Sequence, residues 1–247
     1  MRMEKMLISL SILEYEPNLS ENINNLEKSE DFMNILRLVQ TGKISFVHID
    51  VMRPPMIPGK IKFPISLVRR LYEKLHDKVS LVMHLMVDDP LGMITKINEF
   101  ISREDRIRTT IILQVEAFES EDEAIKAIET VKGYGYKVGV SLNLLTPESR
   151  LTDKVVNNAD MILLMTVPMG SGRQTYDERA TERIRRFSKR FPDKIIEVDG
   201  GINHKTIVDA WRAGAKAAVV GSYITASENP EKALRELERV LGEISEA

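Results

Sequence analysis

The sequence predicts an α/β protein with a single (β/α)8 barrel, of the TIM-barrel type, that spans residues 1–247. Eight strand-like apolar runs alternate with eight helical patterns along the chain, which is the order of repeated βα units. No Pro/Gly-rich linker or change of composition divides the chain, and 247 residues are enough for one barrel. Most strand runs are continuously apolar, as in parallel strands with both faces buried. A doubly wound open sheet is the alternative.

The first apolar run admits two interpretations. It faintly resembles a signal peptide, but no small-residue cleavage site follows it, and Glu14 and Glu16 end it. It therefore fits better as the first strand of the barrel. The predicted strands lie at residues 6–12, 44–50, 79–84, 109–115, 137–142, 160–166, 194–199 and 216–221.

Capping residues support several of the predicted helix starts. Asp89, Thr146 and Asn229 each precede a proline, which favours the first position of a helix. Ser120 and Glu123 have the spacing of a capping box. The predicted helices lie at residues 20–40, 65–76, 90–102, 121–133, 147–157, 177–191, 204–213 and 230–244.

The composition argues against several kinds of partner. A formal net charge of -2 gives no sign of a nucleic-acid-binding surface. The chain has no cysteine, which excludes disulfide and thiolate chemistry and agrees with a reducing compartment. No apolar run approaches the roughly 20 residues that a membrane-spanning helix needs. We therefore expect a cytoplasmic protein that acts on a small molecule.

Four polar residues lie at or near the carboxyl ends of predicted strands. They are His48, Asp50, His84 and Asp199. In a barrel these strand ends carry the active site, and His48 and Asp50 share a face because side chains alternate along a strand. One histidine at a strand end is more often structural, but two imidazoles and two carboxylates together favour a divalent metal site. Such ligands accept zinc, iron, manganese or cobalt, and the aspartates could also transfer protons.

Glycine-containing turns follow the last three predicted strands. Glycine lets backbone N–H groups approach an anion, and barrels often bind phosphate near strands seven and eight. Each turn alone is a weak signal, but three at one rim favour a phosphorylated ligand, to which Arg173 could add a charged donor. The residues concerned are Gly170, Gly172, Gly200, Gly201, Gly221 and Ser222.

Three methionines, Met52, Met86 and Met165, end or follow strands near the proposed site. Methionine usually fills gaps in a core. Here the three side chains could form an apolar wall that keeps water away from a reactive intermediate.

From its first strand to its last helix, the chain resembles the ribulose-phosphate 3-epimerase family, whose members have a ribulose-phosphate-binding barrel. Seven segments carry the resemblance in order and spacing. They are Ser11-Ile12-Leu13, His48-Ile49-Asp50-Val51-Met52, His84-Leu85-Met86-Val87, Asn143-Leu144-Leu145-Thr146-Pro147, Leu163-Leu164-Met165-Thr166-Val167, Val198-Asp199-Gly200-Gly201-Ile202 and Val220-Gly221-Ser222.

The resemblance implies the chemistry of the site. One divalent metal would be held by the four His and Asp residues above, and Asp50 and Asp199 would act as acid and base on opposite faces of the substrate. Proton removal from carbon 3 would give a cis-enediolate and interconvert D-ribulose 5-phosphate and D-xylulose 5-phosphate, a step of the pentose phosphate pathway. Ser11 and the three methionines would contact the substrate, and the glycine turns and Ser222 would bind its phosphate.

Three residues depart from the family pattern. Arg53 follows the His-x-Asp strand where the family has an acidic residue, Gln114 replaces an imidazole on strand four, and Arg173 lies in an altered loop after strand six. If these residues face the sugar, the substrate could be a ketohexose phosphate such as D-allulose 6-phosphate. A binding or regulatory paralogue and another phosphate-handling lyase or isomerase also stay open. We expect a homo-oligomer.

Overall fold

In a computed structural model that describes residues 6–245, eight parallel strands close into one barrel, with each strand paired to the next in chain order and β8 paired to β1. Residues 1–5 and 246–247, which belong to the predicted domain 1–247, lie outside the described residues. The strands are β1 (Leu7–Ser11), β2 (Phe46–Met52), β3 (Ser80–Met86), β4 (Thr109–Gln114), β5 (Lys137–Leu142), β6 (Met161–Met165), β7 (Ile195–Asp199) and β8 (Ala217–Val220).

Helices connect the strands and surround the barrel. The longer helices each bury one apolar stripe against the strands. On the third helix, for example, this stripe contains Leu67, Leu71 and Leu75. The helices are α1 (Glu16–Glu21), α2 (Glu30–Gln40), α3 (Ile65–Leu75), α4 (Pro90–Asn98), α5 (Glu121–Gly133), α6 (Asp153–Asn158), α7 (Arg179–Arg190), α8 (Thr206–Ala213), α9 (Ser222–Thr225) and α10 (Pro230–Ser245).

Three predicted helices differ clearly from the structure, and one of them, predicted at 90–102, ends at Asn98. The predicted helix 20–40 covers only the last two residues of α1 and then α2, with a 3-10 turn at Leu26–Lys28 between them, and Ser29 caps α2. The predicted helix 147–157 begins only at Asp153, because residues 148–150 form a 3-10 turn and Thr152 is the residue that caps α6. The predicted caps Asp89, Ser120 and Asn229 do accept backbone N–H groups in the first turns of their helices.

The register of the strands brings the polar residues together. Asp50 and His84 are partners across β2 and β3, and Ser11 and His48 are partners across β1 and β2. The outward faces of the strands pack against the helices, and the barrel interior holds a smaller apolar cluster that includes Ile112. Residues at the carboxyl ends of the strands therefore form the floor of a site above this cluster.

The loop between β2 and α3 folds back over the end of β2. Met52 and Lys62 form an antiparallel bridge, and the Arg53 guanidinium donates to the carbonyl oxygens of Met52, Lys62 and Phe63 at 2.6, 2.5 and 2.9 Å. The ammonium of Lys60, in the same loop, donates to the carbonyl oxygen of Gly170 at 2.5 Å. These contacts hold the loop beside the site. Among the helices of residues 6–245, none has the length and apolar character that crossing a bilayer requires.

Candidate metal centre and active site

His48, Asp50, His84 and Asp199 converge at the carboxyl ends of β2, β3 and β7. One ligand atom from each residue lies within 4.8 Å of those of the others. Nε2 of His48 is 3.2 Å from Oδ1 of Asp50 and 4.0 Å from Oδ2 of Asp199, and Nδ1 of His84 is 3.5 Å from Oδ1 of Asp50. Both imidazoles are fully buried, whereas 16% of the Asp199 side chain is exposed. The four residues therefore form a compact cluster that opens on one side.

The donor atoms of this cluster fit a metal ion. Both ring nitrogens of His48 and Nδ1 of His84 are buried and have no hydrogen-bond partner within residues 6–245. Leaving buried polar nitrogens unpaired costs free energy, so such atoms are usually bound to a partner, which here could be a metal ion. Two imidazole nitrogens and two carboxylates are suitable ligands for a divalent transition metal. The cluster could therefore hold a metal ion.

The protonation of the cluster follows from burial and from mutual attraction. Burial opposes a charge on His48, but the carboxylates of Asp50 and Asp199 outweigh it and raise the pKa of His48 to about 9. Burial also opposes the charge of Asp50, yet the two histidines prevail and hold its pKa well below the ordinary value. Burial, followed by the charge of Asp50, raises the pKa of Asp199. The two carboxyl groups thus have pKa values that are pushed apart.

A cavity that opens to solvent, with about 580 Å³ of free space when the open part is included, lies over the cluster at the carboxyl ends of the strands. Asp50 and Asp199 line it, whereas the two buried histidines lie beneath its surface. The sequence-predicted substrate residues line the same cavity. These are Ser11, Met52, Met86, Met165, Gly170, Gly172, Gly200, Gly201, Gly221 and Ser222.

Two of the glycine turns are packed too closely to admit a side chain. A Cβ at Gly200, whose φ is 122°, would lie 2.4 Å from a methyl carbon of Val167. A Cβ at Gly201, whose φ is 64°, would lie 2.2 Å from the backbone nitrogen of Tyr176. The loop after β6 therefore lies directly on the turn after β7, and glycine is needed for this packing as well as for any approach of an anion.

The three residues that depart from the family pattern have different environments. Arg173 lines the cavity and pairs with Glu14, with Nε 2.6 Å from the carboxylate. Arg53 is directed at backbone carbonyl groups and is not among the residues that line the cavity. Gln114 is fully buried beside His84, with Oε1 2.8 Å from Nε2 of the imidazole. This arrangement differs from the hypothesis that Arg53 and Gln114 face the sugar.

Sequence reasoning missed two acidic residues near the site. Glu14 lines the cavity three residues after Ser11, but its position after a strand gave no sign of which way it points. Glu197 is fully buried in the barrel interior, two residues before Asp199, and burial raises its pKa. The spacing of two along β7 is the signal that could have placed Glu197 on the same face as Asp199.

Comparison with solved structures defines the class of the fold. A 3-keto-L-gulonate-6-phosphate decarboxylase from Vibrio cholerae superposes with a TM-score of 0.65 over 97% of this chain and 99% of that one, at 11% sequence identity. A 3-hexulose-6-phosphate synthase from Salmonella typhimurium gives 0.62 over 96% and 99%, at 16% identity. At this identity the likeness concerns the barrel fold alone.

Sequence comparison is more specific. The chain belongs to the ribulose-phosphate 3-epimerase family, whose model matches residues 20–225. The cytoplasmic isoform of ribulose-phosphate 3-epimerase from Oryza sativa subsp. japonica is 30% identical over 85% of this chain and 90% of its own length. The ribulose-phosphate 3-epimerase of Buchnera aphidicola subsp. Baizongia pistaciae is 32% identical over 98% and 99%. The enzyme from Bacillus subtilis is 30% identical over 83% and 90%.

Proposed function

We propose that this protein is a metal-dependent 3-epimerase of a phosphorylated ketose and that it interconverts D-ribulose 5-phosphate and D-xylulose 5-phosphate. The observation that carries the proposal is the presence of two carboxylates, Asp50 and Asp199, in one cavity beside two buried imidazoles. Inverting a carbon by removal and return of a proton needs an acid–base group on each face of that carbon. The names of the relatives, which are ribulose-phosphate 3-epimerases, support the same substrate.

The two aspartates take different roles in each direction of the reaction. One removes the proton from carbon 3 to give an enediolate of the sugar, and the other returns a proton to the opposite face. Both carboxyl groups line the cavity in which the sugar would lie. Each carboxyl group can therefore exchange a proton with carbon 3, one as the acceptor and the other as the donor. In the reverse direction the two exchange roles.

We propose that His48, Asp50, His84 and Asp199 hold one divalent ion, which is zinc, iron, manganese or cobalt. When bound, such an ion stabilises the negative charge that develops on the oxygens of the substrate. The chain contributes the buried, unpartnered imidazole nitrogens that would face the ion, at the floor of the cavity.

The substrate would lie between the cluster and the glycine turns. Ser11, which donates a hydrogen bond to Asp50 at 3.0 Å, would contact the sugar and orient the carboxylate. Met52, Met86 and Met165 would cover the reacting carbon and exclude water. The phosphate would accept hydrogen bonds at the turns that contain Gly170, Gly172, Gly200, Gly201, Gly221 and Ser222.

A substrate panel tests the proposal. We expect metal-loaded protein to convert D-ribulose 5-phosphate with a kcat/KM well above that for D-allulose 6-phosphate. Turnover of free ribulose should be very low, because this sugar lacks the phosphate and its contacts. A preference for D-allulose 6-phosphate would show that the substrate is a ketohexose phosphate instead. Efficient use of free ribulose would contradict the phosphate site, and binding without turnover of any ketose phosphate would indicate a binding or regulatory paralogue.

We further propose a cytoplasmic homo-oligomer. The location is supported by the rice relative, which is named a cytoplasmic isoform. The oligomer stays a prediction, and light scattering on the purified protein measures it.

A further inference from the structure

Gln114, the last residue of β4, contacts the cluster of His48, Asp50, His84 and Asp199 from the side, through His84. Its Oε1 lies 2.8 Å from Nε2 of His84, and both side chains are fully buried. His84 pairs with Ile112 in the register of β3 and β4, so Gln114 lies two residues further toward the carboxyl ends and on the same face. Gln114 does not line the cavity above the cluster. Gln114 therefore contacts the imidazole of His84 but does not lie where the substrate would bind.

The direction of this hydrogen bond decides which nitrogen of His84 is free. A carbonyl oxygen can only accept, so Nε2 of His84 must carry the proton, and Nδ1 then keeps its lone pair. Nδ1 is the nitrogen that lies 3.5 Å from Oδ1 of Asp50, within the cluster, and it has no other partner among the described residues. His48 presents the opposite nitrogen, Nε2, at 3.2 Å from the same carboxylate.

We propose that Gln114 is a positioning residue that holds His84 in the Nε2–H tautomer, so that His84 ligates the metal through Nδ1. This inference rests on the proposed metal site but not on the identity of the sugar. A partner on the second nitrogen of a ligating histidine fixes the ring and its tautomer. The Gln114 amide favours this tautomer only when its oxygen faces His84. In the flipped orientation the NH2 group would donate to Nε2, and the ring proton would then lie on Nδ1.

Ser141 is the neighbour of Gln114 on the next strand. Gln114 and Ser141 are register partners on β4 and β5, and both are fully buried. Nε2 of Gln114 and Oγ of Ser141 are each without a hydrogen-bond partner within residues 6–245. The two atoms do not bond to each other directly, but one is a donor and the other can accept, so a bridging water would satisfy both and keep Oε1 directed at His84.

Zinc affinity provides the first test. Removal of a partner behind a metal-ligating histidine typically weakens metal binding by about 10- to 100-fold. We expect this loss for Gln114→Met, which keeps the length of the side chain, when zinc is titrated against a competing chelator. Gln114→Glu should keep or strengthen zinc binding, because a carboxylate also accepts from Nε2–H. Melting curves of the metal-free variants show whether each one folds. An unchanged zinc affinity in folded Gln114→Met would overturn the proposal.

Nitrogen NMR of the wild-type protein provides a second test that needs no variant and no substrate. In 15N-labelled, zinc-loaded protein, we expect His84 to carry its proton on Nε2 and to ligate through Nδ1, with His48 showing the reverse pattern. Zinc on Nε2 of His84 would contradict the proposal. Both tests succeed or fail whether or not the protein epimerises a sugar, so they are independent of the proposed substrate.

Discussion

The Ser11 hydroxyl donates a hydrogen bond to Oδ2 of Asp50 at 3.0 Å, between the neighbouring strands β1 and β2. The other oxygen, Oδ1, faces the imidazoles of His48 and His84 at 3.2 and 3.5 Å. The two oxygens of one carboxylate thus have separate environments, one toward the two histidines and one toward Ser11. This division would let Asp50 serve both as the proposed metal ligand and as the proposed acid–base group.

Ser11→Ala should therefore lower kcat/KM while leaving the metal content unchanged. A hydrogen bond to a charged group contributes about 1.5–3 kcal/mol, which corresponds to a loss of about 10- to 100-fold. Ser9→Ala is a matched control, since it removes a fully buried hydroxyl on the same face of β1 that does not bond to Asp50. Steady-state kinetics with elemental analysis checks both variants, and full activity of Ser11→Ala would refute the orienting role.

Substitution of His84 should remove the metal. We expect purified protein to hold about one divalent ion per chain and His84→Ala to lose most of it, because the cluster loses one of its four ligands. His76→Ala is the control, since His76 lies outside the cluster and pairs with Asp105 at 3.3 Å. Elemental analysis that finds equal metal in the two variants would show the ligand assignment to be wrong.

Metal binding should strengthen as the pH rises. In the metal-free protein, the pKa of His48 is raised to about 9 and that of Asp199 is raised, so both tend to hold protons that a metal must displace. Asp50, with its lowered pKa, is already ionised and adds nothing to this effect. We expect affinity to rise from about pH 6 to about pH 9, with proton release. Calorimetry in buffers of different ionisation enthalpy measures it, and a pH-independent affinity without proton release would contradict the protonation scheme.

Arg53 should matter for stability rather than for substrate choice. Its guanidinium donates to three backbone carbonyl groups in the loop after β2, and Arg53→Met leaves them without that partner. We expect a loss of about 2 kcal/mol in the free energy of unfolding, measured in urea, with the preference among sugars unchanged. Arg173→Met, which removes an exposed ion pair with Glu14, should cost much less stability. A changed sugar preference in Arg53→Met would restore the hypothesis that Arg53 faces the substrate.

The sequence predicted the barrel and the convergence of His48, Asp50, His84 and Asp199 because both depend on local patterns. Continuous apolar runs mark buried parallel strands, and the polar residues that end them must gather at one rim once the barrel closes. His48 and Asp50 share a strand, so their common face followed from the period of two alone. The position of His84 opposite Asp50 required the register of β2 and β3, which the sequence does not contain.

The features that sequence reasoning missed depend on contacts between distant segments. Gln114 belongs beside His84 because of the register of β3 and β4, and Arg53 is turned to the backbone because residues 62–63 fold back beside it. The start of α6 was misplaced because Thr146 before Pro147 resembles a cap as closely as Thr152 does. Short 3-10 turns have no distinctive pattern, so the predicted helix 20–40 missed most of α1 and ran through the turn at Leu26–Lys28 into α2.

The most direct test of the account follows carbon 3 of the sugar in heavy water. Metal-loaded protein is incubated with D-ribulose 5-phosphate in D2O, beside Asp50→Asn and Asp199→Asn variants whose metal content has been measured. We expect D-xylulose 5-phosphate that carries deuterium at carbon 3, and losses of several orders of magnitude in both variants, because each aspartate serves one face. Wild-type turnover in either metal-loaded variant, or epimerisation without deuterium at carbon 3, would contradict the two-carboxylate mechanism.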